Sequence, residues 1–196
     1  MQLNSEDGGN RKYIMVQLPE ICDEKSEAYK AGYKNICEIG KERIRRAGKK
    51  IKEENPNAKD LDIGFRDLKL DSSCMKDIYY SPIKTTQDLL TQFEDNIKED
   101  RTPEDLLFQV MLDMGVMLSS EIKTLEINGK KVFNVNDGDL VCCFDKNINE
   151  TMVTAIAKMQ PLYAVFRDAS MSTDSVAVNF DQIFETYSPT TTRRII

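Results

Sequence analysis

At 196 residues, with 40% hydrophobic and 31% charged side chains, the chain has enough apolar material for one large domain or two small ones. Its net charge of -6 argues against strong non-specific nucleic-acid binding, which needs Lys and Arg against phosphates, but leaves room for a local basic patch. The absence of histidine removes imidazole bases, Ser–His and Cys–His pairs and His-ligated zinc.

The five cysteines, Cys22, Cys37, Cys74, Cys142 and Cys143, are odd in number and show no C-x-x-C spacing. Reduced thiols in a cytoplasmic protein are the simplest reading, and a metal site is not expected. The sequence has no apolar run of bilayer-spanning length, and its first residues lack the basic-then-apolar pattern of a secretory signal.

In chain order, residues 11–20 combine a basic lead-in, an apolar run (Tyr13, Ile14, Met15, Val16, Leu18) and a tip at Pro19-Glu20. Such a run predicts a strand buried on both faces, with a polar carboxyl end where open α/β sheets place ligands. A long helix follows over 27–54, weakened by Gly32, Gly40 and Gly48, with a break expected near Gly40. Its second half carries Lys41, Arg43, Arg45, Arg46, Lys49, Lys50 and Lys52. That cluster suits either a solvated face near a helix C-terminus or contact with phosphates. Pro56 stops the helix, and residues 62–73 read as a second strand through Phe65, Leu68 and Leu70, completing a βαβ pattern.

The pattern loosens over 79–86, where a domain boundary is expected, dividing the chain into residues 1–80 and 81–196. Residues 87–98 suggest a short amphipathic helix. Thr102-Pro103-Glu104-Asp105 then gives a strong helix start, with Thr102 as N-cap and Pro103 in the first turn. That helix is expected to reach about Ser119, its stripe of Leu106, Leu107, Val110, Met111, Met114, Met117 and Leu118 serving as core or as a subunit interface.

Three short runs over 122–127, 131–136 and 139–145 are separated by Asn128-Gly129 and Asp137-Gly138. Those dipeptides suit type I′ turns, so an antiparallel three-strand meander is expected, with Cys142 and Cys143 as packing residues. A helix over 149–158, a strand over 162–167, a helix from Ser172 or Thr173 to about Tyr187 and an edge strand over 192–196 complete a compact α/β domain.

Four stretches resemble one family in order and spacing. Residues 10–20 look like the strand after the S-adenosylmethionine loop in type III restriction-modification DNA methyltransferases, the Mod subunits. Lys41-Glu42-Arg43-Ile44-Arg45-Arg46 is similar to the basic helix of that family, and residues 64–73 to its next strand. Phe166-Arg167-Asp168 through Phe180-Asp181-Gln182-Ile183-Phe184-Glu185 resembles its C-terminal domain. The resemblance implies an α/β fold: the C-terminal part of a Rossmann-like methyltransferase sheet, then a smaller α/β domain that dimerises and docks.

It also implies an adenine-N6-specific, S-adenosylmethionine-dependent DNA methyltransferase as parent, with DNA, a second Mod copy and a restriction (Res) subunit as partners and no membrane. The family's D-P-P-Y and F-x-G-x-G motifs lie upstream of the residue 10–20 strand and do not occur in this chain. Met1 is therefore expected to be an internal methionine, no residue is assigned as catalytic, and the chain alone is expected to be inactive and to bind no cofactor tightly. Where related methyltransferases place an acidic ribose contact, the resemblance puts Gln17, with Glu20 three residues on. Gln17 accepts through a single oxygen, a departure that weakens the expected contact. The alternative is a non-enzymatic α/β interaction module with weak DNA-backbone contact through the basic helix.

Overall fold

The computed structural model describes residues 1–58, 61–76, 96–168, 171 and 174–196. The chain divides into two compact units, Met1–Leu70 and Asp71–Ile196. The boundary expected at 79–86, the body of the helix expected over 87–98 and the caps at Ser172 and Thr173 lie outside the described residues.

The first unit contains α1 (Gln2–Asp7), α2 (Glu27–Lys30) and α3 (Ile36–Glu54). The single long helix predicted over 27–54 is two helices. The break comes at Gly32, with φ of 97°, while Gly40 lies inside α3. Only glycine takes that backbone conformation without strain, and the helix restarts three residues later because the Asn35 side chain accepts the Glu38 N–H.

Neither strand expected in this unit forms. Residues 11–20 and 62–73 are extended but carry no ladder; among the described residues the pairing beside them is limited to isolated bridges, Ile21 to Asn35 and Met75 to Ile97. A strand's identity depends on hydrogen-bonded neighbours, and these segments lean on helix α3 instead of on one another.

The second unit is a five-stranded mixed sheet in the order β1-β2-β3-β4-β5. Its strands are β1 (Ile122–Ile127), β2 (Lys130–Val135), β3 (Leu140–Cys143), β4 (Tyr163–Phe166) and β5 (Thr192–Ile195). The first three are antiparallel neighbours, and β4 and β5 add in parallel. Asn128 and Gly129, with φ of 51° and 71°, make the tight β1–β2 turn the Asn-Gly pair predicts. Between β2 and β3 the turn is longer. Asn136, Asp137 and Gly138 all have positive φ in a short 3-10 turn, so Asp137-Gly138 is not a two-residue hairpin loop.

Both faces of the sheet are covered. Helix α4 (Pro103–Asp113) buries Leu106, Leu107, Val110 and Met111 against Phe133, Val135, Leu140, Cys142 and Val165. On the other face α5 (Glu150–Lys158) and α6 (Asp174–Tyr187) cover Val132, Val141, Cys143, Ala164 and Phe166. Two successive parallel crossovers of like hand leave both their helices on one side of a sheet, and α5 and α6 do pack together there. Phe166, Phe180 and Phe184 form a ring cluster at centroid distances of 5.1 to 6.2 Å, within the range for favourable edge-to-face contacts.

Helix α4 ends at Asp113, short of the predicted Ser119. Gly115 at φ 70° closes it, with Val116 N–H bonded to the Met111 carbonyl and Gly115 N–H to that of Leu112. This is a Schellman ending, in which a left-handed glycine returns two orphan carbonyls to use. The helical part of the apolar stripe is consumed by the core, and Met117 lies beyond it, 69% exposed.

Candidate functional site

The predicted contacts Gln17 and Glu20 sit at the amino end of α3. Glu20's carbonyl accepts the Ile36 N–H at 3.0 Å, and the Cys22 N–H donates to the Lys34 carbonyl. The Gln17 carbonyl lies 3.6 Å from the Cys37 sulfur, and its side-chain amide donates to the Leu18 carbonyl at 3.2 Å. Both side chains are exposed, so the tip is fixed by its backbone while its polar side chains face outward.

The second extended segment lies along the same helix. Gly48 is buried, and a Cβ built there would come within 3.0 Å of the Cβ of Ile63. Arg45 stacks over the Phe65 ring at 5.5 Å, and Lys41 pairs with Asp67 at 2.9 Å and with Glu38 at 2.6 Å. Residues 63, 65 and 67 thus meet residues 48, 45 and 41 in reverse order. The first segment also runs against the helix direction. Arg11 is bound to Asn4 of α1, and α1 packs on α3 with Met1 beside Gly48, whereas Gln17 and Leu18 reach Cys37. Two extended segments therefore run in one direction on an antiparallel helix, which is the geometry of a βαβ crossover without its ladder.

This unit has almost no interior. Among its described residues Gly48 alone is buried, whereas Ile14, Val16, Leu18 and Leu70 are 85, 92, 74 and 104% exposed. Tyr13, Ile14, Met15, Val16 and Leu18 are all exposed, so apolar side chains of both parities along this segment face solvent. Burying one such side chain is worth about 1.5–3 kcal/mol.

The basic helix is largely self-compensated. Arg46 binds Glu42 at 2.7 Å, and Lys49 and Lys50 face Glu53 and Glu54 one turn on, at 3.9 and 3.7 Å. Such exposed pairs contribute little to stability but neutralise much of the field a phosphate would meet. Arg46 also donates to the Tyr33 hydroxyl, and these two residues with Ile39, Arg43, Ala47 and Lys50 line an open groove of about 470 Å³. The Tyr33–Arg46 contact spans the α2–α3 break and was not legible as a pair in the sequence.

Of the cysteines, Cys74, Cys142 and Cys143 are buried, as packing residues should be. Burial pushes the Cys142 thiol well up and that of Cys143 up to about 11, so neither is a nucleophile at neutral pH. Among the described residues no group of three or more His, Cys, Asp or Glu side chains could hold a metal, and no helix is long and apolar enough to cross a membrane.

Comparison with known proteins bears on what this arrangement belongs to. The chain is 36% identical over 94 residues to the StyLTI Mod subunit of a type III restriction-modification enzyme from Salmonella typhimurium, covering 48% of this chain and 13% of the relative. It is 28% identical over 127 residues to the EcoPI Mod subunit of Escherichia phage P1, covering 65% and 19%. It is 27% identical over 157 residues to the EcoP15I Mod subunit of Escherichia coli, covering 80% and 22%. This chain is similar to part of a type III Mod subunit. It spans about a fifth or less of the length of these Mod subunits. No family model matches the chain. The EcoP15I match is longer than the second unit, so Mod similarity reaches into the first unit.

Proposed function

We propose that the chain is the C-terminal portion of an adenine-N6 DNA methyltransferase of a type III restriction-modification system, inactive alone. On this reading residues 1–80 end the S-adenosylmethionine-side sheet, and residues 81–196 form an assembly domain for a second Mod copy and for the restriction subunit. The observation that carries it is similarity to three Mod subunits, reaching 80% of this chain in one of them. The βαβ-like course of the first unit supports it, because that is the course two successive strands of a doubly wound sheet follow around their helix.

Gln17 and Glu20 are the proposed cofactor contacts. They stand at the carboxyl end of the first extended segment, where such sheets bind ligands, and a ribose would meet the Gln17 amide oxygen and the Glu20 carboxylate. In the whole protein S-adenosylmethionine would supply the methyl group, while this chain would help hold its sugar. In the second unit, the exposed Leu112, Met117 and Val178 are available to a docking surface. The cytoplasm is the proposed location, following the reduced thiols.

The test is incorporation of labelled methyl groups from S-adenosylmethionine into adenine-containing duplex DNA. The chain alone should transfer none. Together with the EcoP15I Mod subunit lacking its matched segment, it should restore transfer. Robust methylation by the chain alone, or a restored enzyme that methylates a base other than adenine, would sink the reading.

A further inference from the structure

We propose that the second unit carries a peptide groove between β5 and α4, where an extended segment of a partner protein, bearing an apolar side chain and an acid, adds to the sheet as a new edge strand. Two independent features coincide there. The first is a row of backbone groups. β5 is the last strand of the sheet, and among the described residues no strand pairs with its outer side. The Thr192 and Ile196 N–H groups donate to the Leu162 and Phe166 carbonyls, so by alternation those of Arg193 and Ile195 turn outward. Neither arginine blocks the approach. Arg193 is held by Asp181 of α6 at 2.9 Å, and Arg194 lies on the other face of the sheet, beside α4.

The second feature is a cavity of about 240 Å³ along the same strand. Leu106 and Val110 of α4, with Met75, Ile195 and Ile196, give it apolar walls, and Arg194 supplies a cation. Its volume falls below the roughly 300–1,000 Å³ of small-molecule sites and suits a single apolar side chain. In strand addition, main-chain bonds to an open edge give affinity, and pockets for alternate side chains give specificity. The edge of β5 and the cavity beside it supply one of each.

The chemistry of the occupant follows from the walls. Arg194 is half-exposed and meets Asp113 only at 4.0 Å. A carboxylate opposite it on the added strand gains a partner, whereas a cation there is repelled. Nucleic acid does not fit, because acids outnumber bases over residues 71–196. The groove stands on the second unit itself; that its peptide comes from a subunit assembled with a Mod-type protein rests on the Mod reading.

Amide hydrogen exchange on the full chain reads the edge first. In the free chain Arg193 and Ile195 should exchange quickly while the β3–β4 amides stay protected; equal protection at Arg193 and Ile195 overturns the inference. A phage-displayed library of random octapeptides is then selected on the immobilised chain, and enriched sequences are made as fluorescein-labelled peptides. Enrichment of an apolar residue two positions from an acid is expected, since that spacing puts both on one face of a strand. Bound peptide should slow exchange at Arg193 and Ile195. Ile195→Pro removes an outward donor and no bond to β4, so it should weaken binding at least about tenfold with the β3–β4 amides still protected. Arg194→Glu should weaken the acidic peptides by a similar factor. Glu126→Lys, on β1 at the far edge, should leave affinity unchanged.

No enriched sequence, binding that Ile195→Pro does not alter, or occupation of the edge by a second copy of the chain overturns the groove. Peptide binding by a chain that restores no methyl transfer leaves the groove standing and counts against the methyltransferase reading. Methyl transfer with no peptide binding does the reverse.

Discussion

Gly115 shows how one residue sets the length of an element. With φ of 70° it ends α4, and a side chain there strains the left-handed backbone. Gly115→Ala should therefore cost about 1 kcal/mol by chemical denaturation, with the fold retained. The cysteines separate on accessibility in the same way. Native-state alkylation with N-ethylmaleimide at pH 7.5 should modify the half-buried Cys22 and Cys37 and spare Cys74, Cys142 and Cys143 until the chain is unfolded. Early loss of Cys142 or Cys143 would contradict the packed sheet.

Asp7 is the carboxylate with the clearest electrostatic signature. The Arg11 guanidinium, followed by the Gly9 N–H, holds its pKa at about 2 against an ordinary 3.8. A depressed carboxylate contributes fully above its unfolded value and loses that contribution as pH falls through its folded value. The α1–Arg11 link should thus survive to about pH 2, and an NMR titration of the Asp7 carboxyl carbon reads it directly.

Among the elements, α4 is held at both ends by local chemistry. Thr102 accepts the Asp105 N–H while the Asp105 carboxylate takes the Thr102 N–H, a reciprocal capping box. Thr102→Ala should destabilise the second unit by about 1 kcal/mol, measured as a lowered denaturation midpoint at constant m-value. Helix α3 behaves differently. Its caps are present, but Ile63 packs close against Gly48, where an added Cβ would meet the Ile63 Cβ at 3.0 Å. Gly48→Val should release residues 61–67 from the helix, seen as faster exchange in that segment alone.

For the whole molecule, stability is unevenly distributed. The second unit has two cores, one on each face of its sheet, and Phe184 is fully buried in one of them. Phe184→Ala should cost about 3–5 kcal/mol there. The first unit has no buried apolar side chain among its described residues. Limited proteolysis of the free chain is expected to cut within residues 11–20 or 61–70 first and to leave a resistant fragment from the second unit. Initial cleavage inside β3 or β4 would reverse that ranking of local stability.

The sequence by itself determined the second unit's elements almost in place, because their signals are local: an N-cap at Thr102 followed by Pro103 and two acids, an Asn-Gly turn needing positive φ, a continuous apolar run at Leu140 to Phe144, and prolines that stop helices. Its resemblance to Mod subunits was legible too, since residue identities carry it. What only the tertiary structure decided was long-range. Whether residues 11–20 are a strand depends on a ladder partner, and a period of apolar side chains cannot say whether one is present. Gly32 broke the long helix where Gly40 was expected to, because the choice rests on backbone angles set by the Ile21–Asn35 bridge and the Asn35 cap. The site at Gln17 and Glu20 was readable only as a position; its exposure beside α3, on an extended segment without a ladder, is a property of contacts that no residue pattern contains.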